Sequence, residues 1–180
     1  MQKLLVALLI CATAATLTSC SGGGGGDYKT GLGIVTHIDS SAAVTADAEG
    51  KGQVDSYIAV ISLDASGKIT KCSLDVAQTA VNFDAAGAIT SDLSAGIRSK
   101  QEKQDDYGMK KASPIGKEWW EQADALEQYC IGKTVADVVG LRTKETEEGP
   151  VPDVPELATS VTIGVEAFLQ AIDKAAANAQ

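Results

Sequence analysis

A short pattern, Asp-x-x-Gly, recurs in the N-terminal half of this 180-residue chain and constrains its fold more than any other feature. It begins at Asp47, Asp64 and Asp84, at intervals of 17 and 20 residues. The Asp carboxylate can accept hydrogen bonds from backbone N–H groups two or more residues on, and Gly tolerates the positive φ that a tight turn needs. Alternating segments rich in β-branched residues accompany these turns, at residues 32–38, 54–63, 69–76 and 79–83. Strand-length segments joined by short turns predict an antiparallel β-meander.

The C-terminal half changes from a strand period to a helical one. Ser113-Pro114 has the form of a helix start, with a capping hydroxyl followed by proline, and the apolar spacing predicts a helix over residues 115–130. Thr134 and Asp137 have the spacing of a capping box, which predicts a short helix over residues 135–139.

The chain ends in a second long helical pattern. Residues 142–155 contain several carboxylates and three prolines and are predicted to form an exposed loop. Beyond them, apolar side chains recur in steps of three and four from Val161 to Ala176, which predicts a helix reaching about Ala177. Strands followed by helices predict an α+β domain, an antiparallel β-meander with the C-terminal helices packed on one face.

The first 26 residues bear on where the protein works. Lys3 precedes an apolar segment that is too short to span a bilayer but has the length of a signal-peptide core. The four residues Leu17-Thr18-Ser19-Cys20 resemble a bacterial lipobox, and five glycines follow Ser21. This resemblance implies a signal peptide at residues 1–19 and a lipid attached to Cys20, followed by a flexible tether at residues 20–27. The length and apolar content of the rest predict a single domain at residues 28–180. The alternative is a plain signal peptide with an incidental Cys20.

Charge and cysteine content restrict the ligands and metals that the chain is expected to bind. The net charge of −9 disfavours nucleic acid and anionic lipid headgroups. The domain retains Cys72 and Cys130, which either form a disulfide or lie buried as two small apolar residues. With one histidine, His37, they are too few for a zinc site, so no metal is expected. His37 has no cysteine or carboxylate arranged around it in a catalytic pattern, and it is expected to be a structural or an exposed histidine.

Three hydroxyls at the predicted start of the last helix suggest a phosphate site. Thr159, Ser160 and Thr162 would lie beside the free N–H groups of a helix N-terminus, which favours an anion. The segment resembles the FMN-binding domain of the flavin subunits of sodium-pumping NADH:quinone reductases and Rnf complexes, and of flavinylated bacterial lipoproteins. The family motif is an acidic residue followed by Ser/Thr-Gly-Ala-Thr, which Glu156, Thr159 and Thr162 match in part. The resemblance implies FMN bound at residues Thr159, Ser160, Val161 and Thr162.

Two positions depart from that motif. Ser160 stands where the family has Gly, and Val161 where it has Ala. Both side chains crowd the approach of a phosphate to the backbone, which disfavours covalent attachment of FMN to Thr162 and leaves non-covalent binding as the expectation. In the alternative interpretation, Thr159 is only a helix cap.

A second segment, residues 106–122, is dense in residues that suit a flavin. Tyr107 and Trp119 supply aromatic planes, Met109 a thioether and Lys110 a cation in an otherwise acidic chain. We expect these four residues to line the ligand site. The alternative places Trp119 in the core and the lysines on a solvated surface.

These observations favour a membrane-anchored, extracytoplasmic FMN-binding lipoprotein that carries electrons. Its partners would be the membrane, through the lipid on Cys20, and redox proteins or quinones. Such a protein would be an electron-transfer flavoprotein rather than a hydrolase. The alternative is a ligand-binding or interaction lipoprotein that keeps the fold without flavin.

Overall fold

The computed structural model describes residues 28–147 and 149–180. The predicted signal peptide, the lipid site at Cys20 and the whole of the glycine tether lie outside the described residues. Within the described part of the chain, no helix is long and apolar enough to cross a membrane.

A three-stranded antiparallel sheet in the order β1-β2-β3 forms the base of the fold. The strands are β1 (Lys29–His37), β2 (Gly50–Leu63) and β3 (Ile69–Phe83). The predicted meander is therefore confirmed. The prediction of separate strands at residues 69–76 and 79–83 is wrong, because Ala77 and Gln78 continue the ladder opposite Ser56 and Asp55 without a break.

Two of the three Asp-x-x-Gly segments form the predicted turns. The Asp64 carboxylate accepts from Lys68 N at 3.0 Å, and Gly67 has a φ of 78°. Asp84 accepts from Ala88 N at 2.9 Å in the same way after β3. The first repeat differs, because Gly50 begins β2 and lies under the ring of Phe83, where a Cβ would be 2.2 Å from Phe83 Cε2.

Among the described residues, four helices and two further short strands complete the fold. The helices are α1 (Lys100–Lys103), α2 (Trp119–Cys130), α3 (Val135–Val139) and α4 (Glu166–Ala177), and residues 104–107 and 109–111 form 3-10 turns. The strands β4 (Thr143–Lys144) and β5 (Val151–Pro152) pair antiparallel within the segment that was predicted to be only a loop. The side chains of Val151 and Pro152 are buried there.

Both long helices begin later than the sequence predicts. Gly116, with a φ of 64°, interrupts the segment after Ser113, and Glu118 becomes the N-cap of α2, its N–H donating to Glu121 Oε2 at 2.8 Å. Before α4, Val165 N donates to Pro150 O at 2.9 Å. That bond directs residues 161–165 away from a helical path, so α4 starts at Glu166.

The helices cover one face of the sheet, as predicted. Helix α4 lies across β1 and β2, where Gly31 and Gly33 leave room for its backbone, while α2 packs on β3. Phe168 on α4 and Leu126 on α2 are among the fully buried side chains between the layers. The opposite face of the sheet carries exposed apolar side chains, including Leu32 at 48% and Ile34 at 47% exposure.

Candidate functional site

The hydroxyl-rich segment lies before α4 and not at its N-terminus. Residues 154–160 form turns of their own, in which Ser160 N and Val161 N both donate to Leu157 O. Thr159 is exposed, Ser160 and Thr162 are half-buried, and Val161 is 2% exposed. The predicted phosphate seat at a helix N-terminus is therefore wrong in its placement, because the first turn of α4 starts four residues after Thr162.

Gln122 joins the two segments that the sequence singled out. It is fully buried on α2, and its Oε1 accepts from Thr162 N at 2.8 Å and from Thr162 Oγ1 at 3.1 Å. Its Nε2 donates to Ser113 Oγ and to Lys117 O, each at 3.3 Å. Both ends of the amide are thus satisfied, and one side chain fixes the position of Thr162 against α2.

A second internal contact satisfies backbone groups in the 106–122 segment. The carboxylate of Glu118, which is 5% exposed, accepts from Met109 N at 2.8 Å and from Lys110 N at 3.1 Å. Two N–H groups that would otherwise suit an anion are therefore bound to the protein's own carboxylate. This occupancy, like that of Thr162 by Gln122, limits what these backbone groups can offer a ligand.

The four predicted lining residues of that segment lie in different environments. Trp119 is 3% exposed, with its ring centroid 6.1 Å from that of Phe168, so it belongs to the core. Tyr107 and Met109 are half-buried, and Lys110 is exposed. The interpretation of Trp119 as a core residue is confirmed. The expectation that it lines a ligand site is wrong, because α2 begins at this residue and directs its side chain into the layer between helix and sheet.

Lys100 is a feature that the sequence did not reveal. Its Nζ lies 4.8 Å from the centroid of the Tyr107 ring and 5.4 Å from that of Trp119. Burial lowers the pKa of Lys100 to about 8, although the negative charge of the buried Asp55 opposes this shift. Lys100 and Asp55 are close together only in the folded chain, since β2 contributes Asp55 and α1 contributes Lys100.

An open cavity of about 300 Å³ lies beside Thr162. Arg142 and Lys144 provide two cations in its lining, and Asp153 provides one carboxylate. Arg142 Nε is 3.0 Å from Asp153 Oδ2 and donates to Asp153 O at 2.7 Å. The rest of the lining is largely apolar and comes from β5 and the turns before α4: Val151, Pro152, Val154, Pro155, Ala158 and Val161.

The cavity offers an anion site with an apolar wall. Of the guanidinium nitrogens of Arg142, only Nε has a partner among the contacts of the described residues, and the side chain is 68% exposed. The Lys144 side chain is exposed, and the described contacts give its ammonium no ion pair. Sequence reasoning missed both cations because they lie in a segment dominated by carboxylates. The alternation of Arg142 and Lys144 at its start was the available signal.

Comparison with known proteins gives one partial match. A stretch of 40 residues, 22% of this chain, is 55% identical to a chlorophenol reductase of Desulfitobacterium hafniense. The stretch covers 12% of that protein. No protein-family model matches the chain, and no solved structure matches it.

Proposed function

We propose that this protein is a membrane-anchored, extracytoplasmic FMN-binding lipoprotein that carries electrons, and that the cavity beside Thr162 receives the flavin phosphate. The lipobox-like start supports the location, and the partial motif at Glu156, Thr159 and Thr162 supports the cofactor. The observation that carries the proposal is that Thr162 shares a cavity with Arg142 and Lys144. Thr162, which the motif assigns to the phosphate, therefore lines the same cavity as two cationic side chains.

The residues present suit the phosphate end of FMN through their side chains. Lys144 and the terminal nitrogens of Arg142 supply charge-assisted donors for a dianionic group, and such bonds are about twice as strong as neutral ones. Asp153 contacts Arg142 at Nε, which leaves the terminal nitrogens without a partner among the described contacts. The apolar wall formed by Val151 and Val154 suits the non-polar part of the ligand.

The arrangement favours non-covalent binding. The hydroxyl of Thr162 donates to Gln122 Oε1, and an amide oxygen is too weak a base to activate it as a nucleophile. When bound, FMN supplies the redox chemistry, and the protein supplies the site and its orientation. The partner proposed for electron exchange is a quinone or a redox protein at the membrane. The partial match to a protein named as a reductase is compatible with a redox role.

Titration of the full chain with FMN and with riboflavin, followed by flavin fluorescence, tests this proposal. Because riboflavin lacks the phosphate, we expect FMN to bind at least tenfold more tightly. Lys144→Gln should weaken FMN binding by about tenfold to a hundredfold, since a charge-assisted hydrogen bond contributes about 1.5–3 kcal/mol. It should leave riboflavin binding unchanged.

Lys71→Gln is the matched control, because Lys71 is an exposed strand lysine outside the cavity lining. It should bind FMN like the wild type. Equal affinity for FMN and riboflavin, or the absence of saturable binding of either, would contradict the proposal.

A second candidate is the same lipoprotein without flavin, acting as a binding or interaction protein. The occupancy of Thr162 N and Oγ1 by Gln122 favours it, because a phosphate would have to replace these bonds. This candidate predicts that FMN leaves the unfolding temperature unchanged, whereas a ligand of the native state would raise it.

A further inference from the structure

Two free cysteines meet where α2 ends against β3. Cys72 lies on the face of β3 that the helices cover, in step with Leu74 and Val76, and is half-buried. Cys130 is the last residue of α2 and is fully buried. The neighbouring Cys130 thiol and burial raise the pKa of the Cys72 thiol.

Backbone hydrogen bonds hold the two cysteines in this position. Gly132 N donates to Ile69 O at 2.8 Å, and Ile69 N donates to Lys133 O at 2.9 Å, which ties the residues just after α2 to the first residue of β3. On the other side, Leu74 N donates to Glu127 Oε1 at 2.6 Å. Cys72 and Cys130 lie between these contacts, which hold the backbone segments that carry the two cysteines side by side.

We propose that Cys72 and Cys130 form a dithiol–disulfide site whose co-reactant is a disulfide, either small or carried by a protein. Because its pKa is raised, only a small fraction of Cys72 is thiolate near neutral pH, and this fraction attacks one sulfur of the donor. The attack forms a mixed disulfide at Cys72 and releases the first donor thiol. The Cys130 thiolate then attacks Cys72 Sγ, which closes the intramolecular disulfide and releases the second donor thiol. Two protein thiols are oxidised, one donor disulfide is reduced to two thiols, and the protons lost from the cysteines pass to the released thiolates.

The order of attack follows from exposure. Cys72 is the partly accessible thiol, whereas Cys130 is enclosed by the core. A donor can therefore reach Cys72 first, and Cys130 acts as the resolving thiol. The site uses no residue of the cavity beside Thr162, so the result of its test does not depend on the flavin proposal.

Peptide mapping of the full chain tests the site. The protein is incubated with oxidised glutathione, both as folded and during refolding from urea, then acid-quenched, alkylated and digested with trypsin without reductant. We expect residues 72–98 joined to residues 118–133, two hydrogens lighter than the separate peptides. Cys11 and Cys20 fall in a different tryptic peptide, at residues 4–29. The oxidised chain should also unfold about 5–10 °C higher than the reduced chain, an increase that dithiothreitol reverses.

Single substitutions test the order of attack. Cys130→Ser should accumulate glutathione at Cys72, because the resolving thiol is absent. Cys72→Ser should leave Cys130 unmodified in the folded protein. The proposal is overturned if both cysteines are alkylated separately after folding and refolding with glutathione disulfide. It is also overturned if the wild type keeps glutathione at Cys72 without closing the bond, or if each cysteine pairs only with Cys11 or Cys20.

Discussion

Glycines in β1 determine how closely the last helix approaches the sheet. A Cβ on Gly33 would lie 1.9 Å from Ala171 O and 2.6 Å from Ala175 N, and a Cβ on Gly31 would lie 1.9 Å from Ala175 O. These are backbone atoms of α4, so no side chain can rotate to make space. The two glycines are therefore a condition for the helix-on-sheet packing.

Gly33→Ala is expected to destabilise the fold by about 2–3 kcal/mol, because α4 must shift or β1 must deform to admit the methyl group. Urea unfolding followed by circular dichroism measures this. Gly52→Ala is the matched control in β2, where the nearest atom to a new Cβ is Val81 O at 4.0 Å. Equal stability of Gly33→Ala and Gly52→Ala would show that α4 does not press on β1.

Gln122 is the buried polar side chain on which the placement of Thr162 depends. Replacing it with leucine would leave Thr162 N, Lys117 O and the hydroxyls of Ser113 and Thr162 without their present partner. We expect Gln122→Leu to lower the free energy of unfolding by about 2–4 kcal/mol, since each unsatisfied buried group costs about 1–3 kcal/mol.

Gln128→Leu is the control, because Gln128 is exposed on the same helix, and its change should stay within about 0.5 kcal/mol. Thermal or urea unfolding compares the two. If Gln122→Leu is as stable as Gln128→Leu, the four hydrogen bonds do not hold the segment in solution.

At the scale of elements, the side chain of Glu127 links α2 to the middle of β3. Burial at this position destabilises the ionised form of its carboxyl. Burial raises the pKa of Glu127 to about 7, and the charges of Asp124 and Asp75 add to this, while the N–H of Leu74 opposes it. When the pKa of a carboxyl is raised in the folded state, its contribution to stability is fully present at pH values below its unfolded pKa of 4.5. That contribution is lost as the pH rises to about 7.

Glu127→Gln should therefore gain stability relative to the wild type between about pH 4.5 and pH 7 and keep that gain at higher pH. The amide oxygen can still accept from Leu74 N. Unfolding temperatures of the two proteins at pH 4, 6 and 8 measure the difference. Glu145→Gln, which removes an exposed carboxyl in the loop after α3, is the control. The difference between its unfolding temperature and that of the wild type should be the same at the three pH values. If the difference in unfolding temperature between Glu127→Gln and the wild type is also independent of pH, burial does not raise the pKa of Glu127.

Local signals predicted elements well, and distant partners account for the errors. Thr134 and Asp137 specified α3 with its observed bounds, because both bonds of a capping box lie within four residues. The start of α4 was predicted too early. It depends on Val165 N bonding to Pro150 O and on Thr162 N bonding to Gln122, which lies 40 residues earlier in the chain. Apolar spacing contains no information about such bonds.

At the scale of the whole molecule, the order of strands and helices was enough to predict the layers. The candidate site was not predictable in the same way, because its cavity combines Arg142 and Lys144 from one side of the acidic loop with Thr162 from the other. The pairing of β4 with β5 folds that loop back and brings them together. In a chain of net charge −9, the lining of this cavity has two cations and one carboxylate, and we propose that this local excess of positive charge attracts an anionic ligand.

The most direct test of the flavin proposal is the visible spectrum of the full chain purified from membranes of a flavin-containing host. We expect flavin absorbance, stoichiometric release of FMN on denaturation, and an unmodified mass for the peptide that contains Thr162. Lys144→Gln, purified in parallel, should retain less FMN than Lys71→Gln. A colourless wild-type protein that also fails to take up added FMN would show that the protein does not bind flavin.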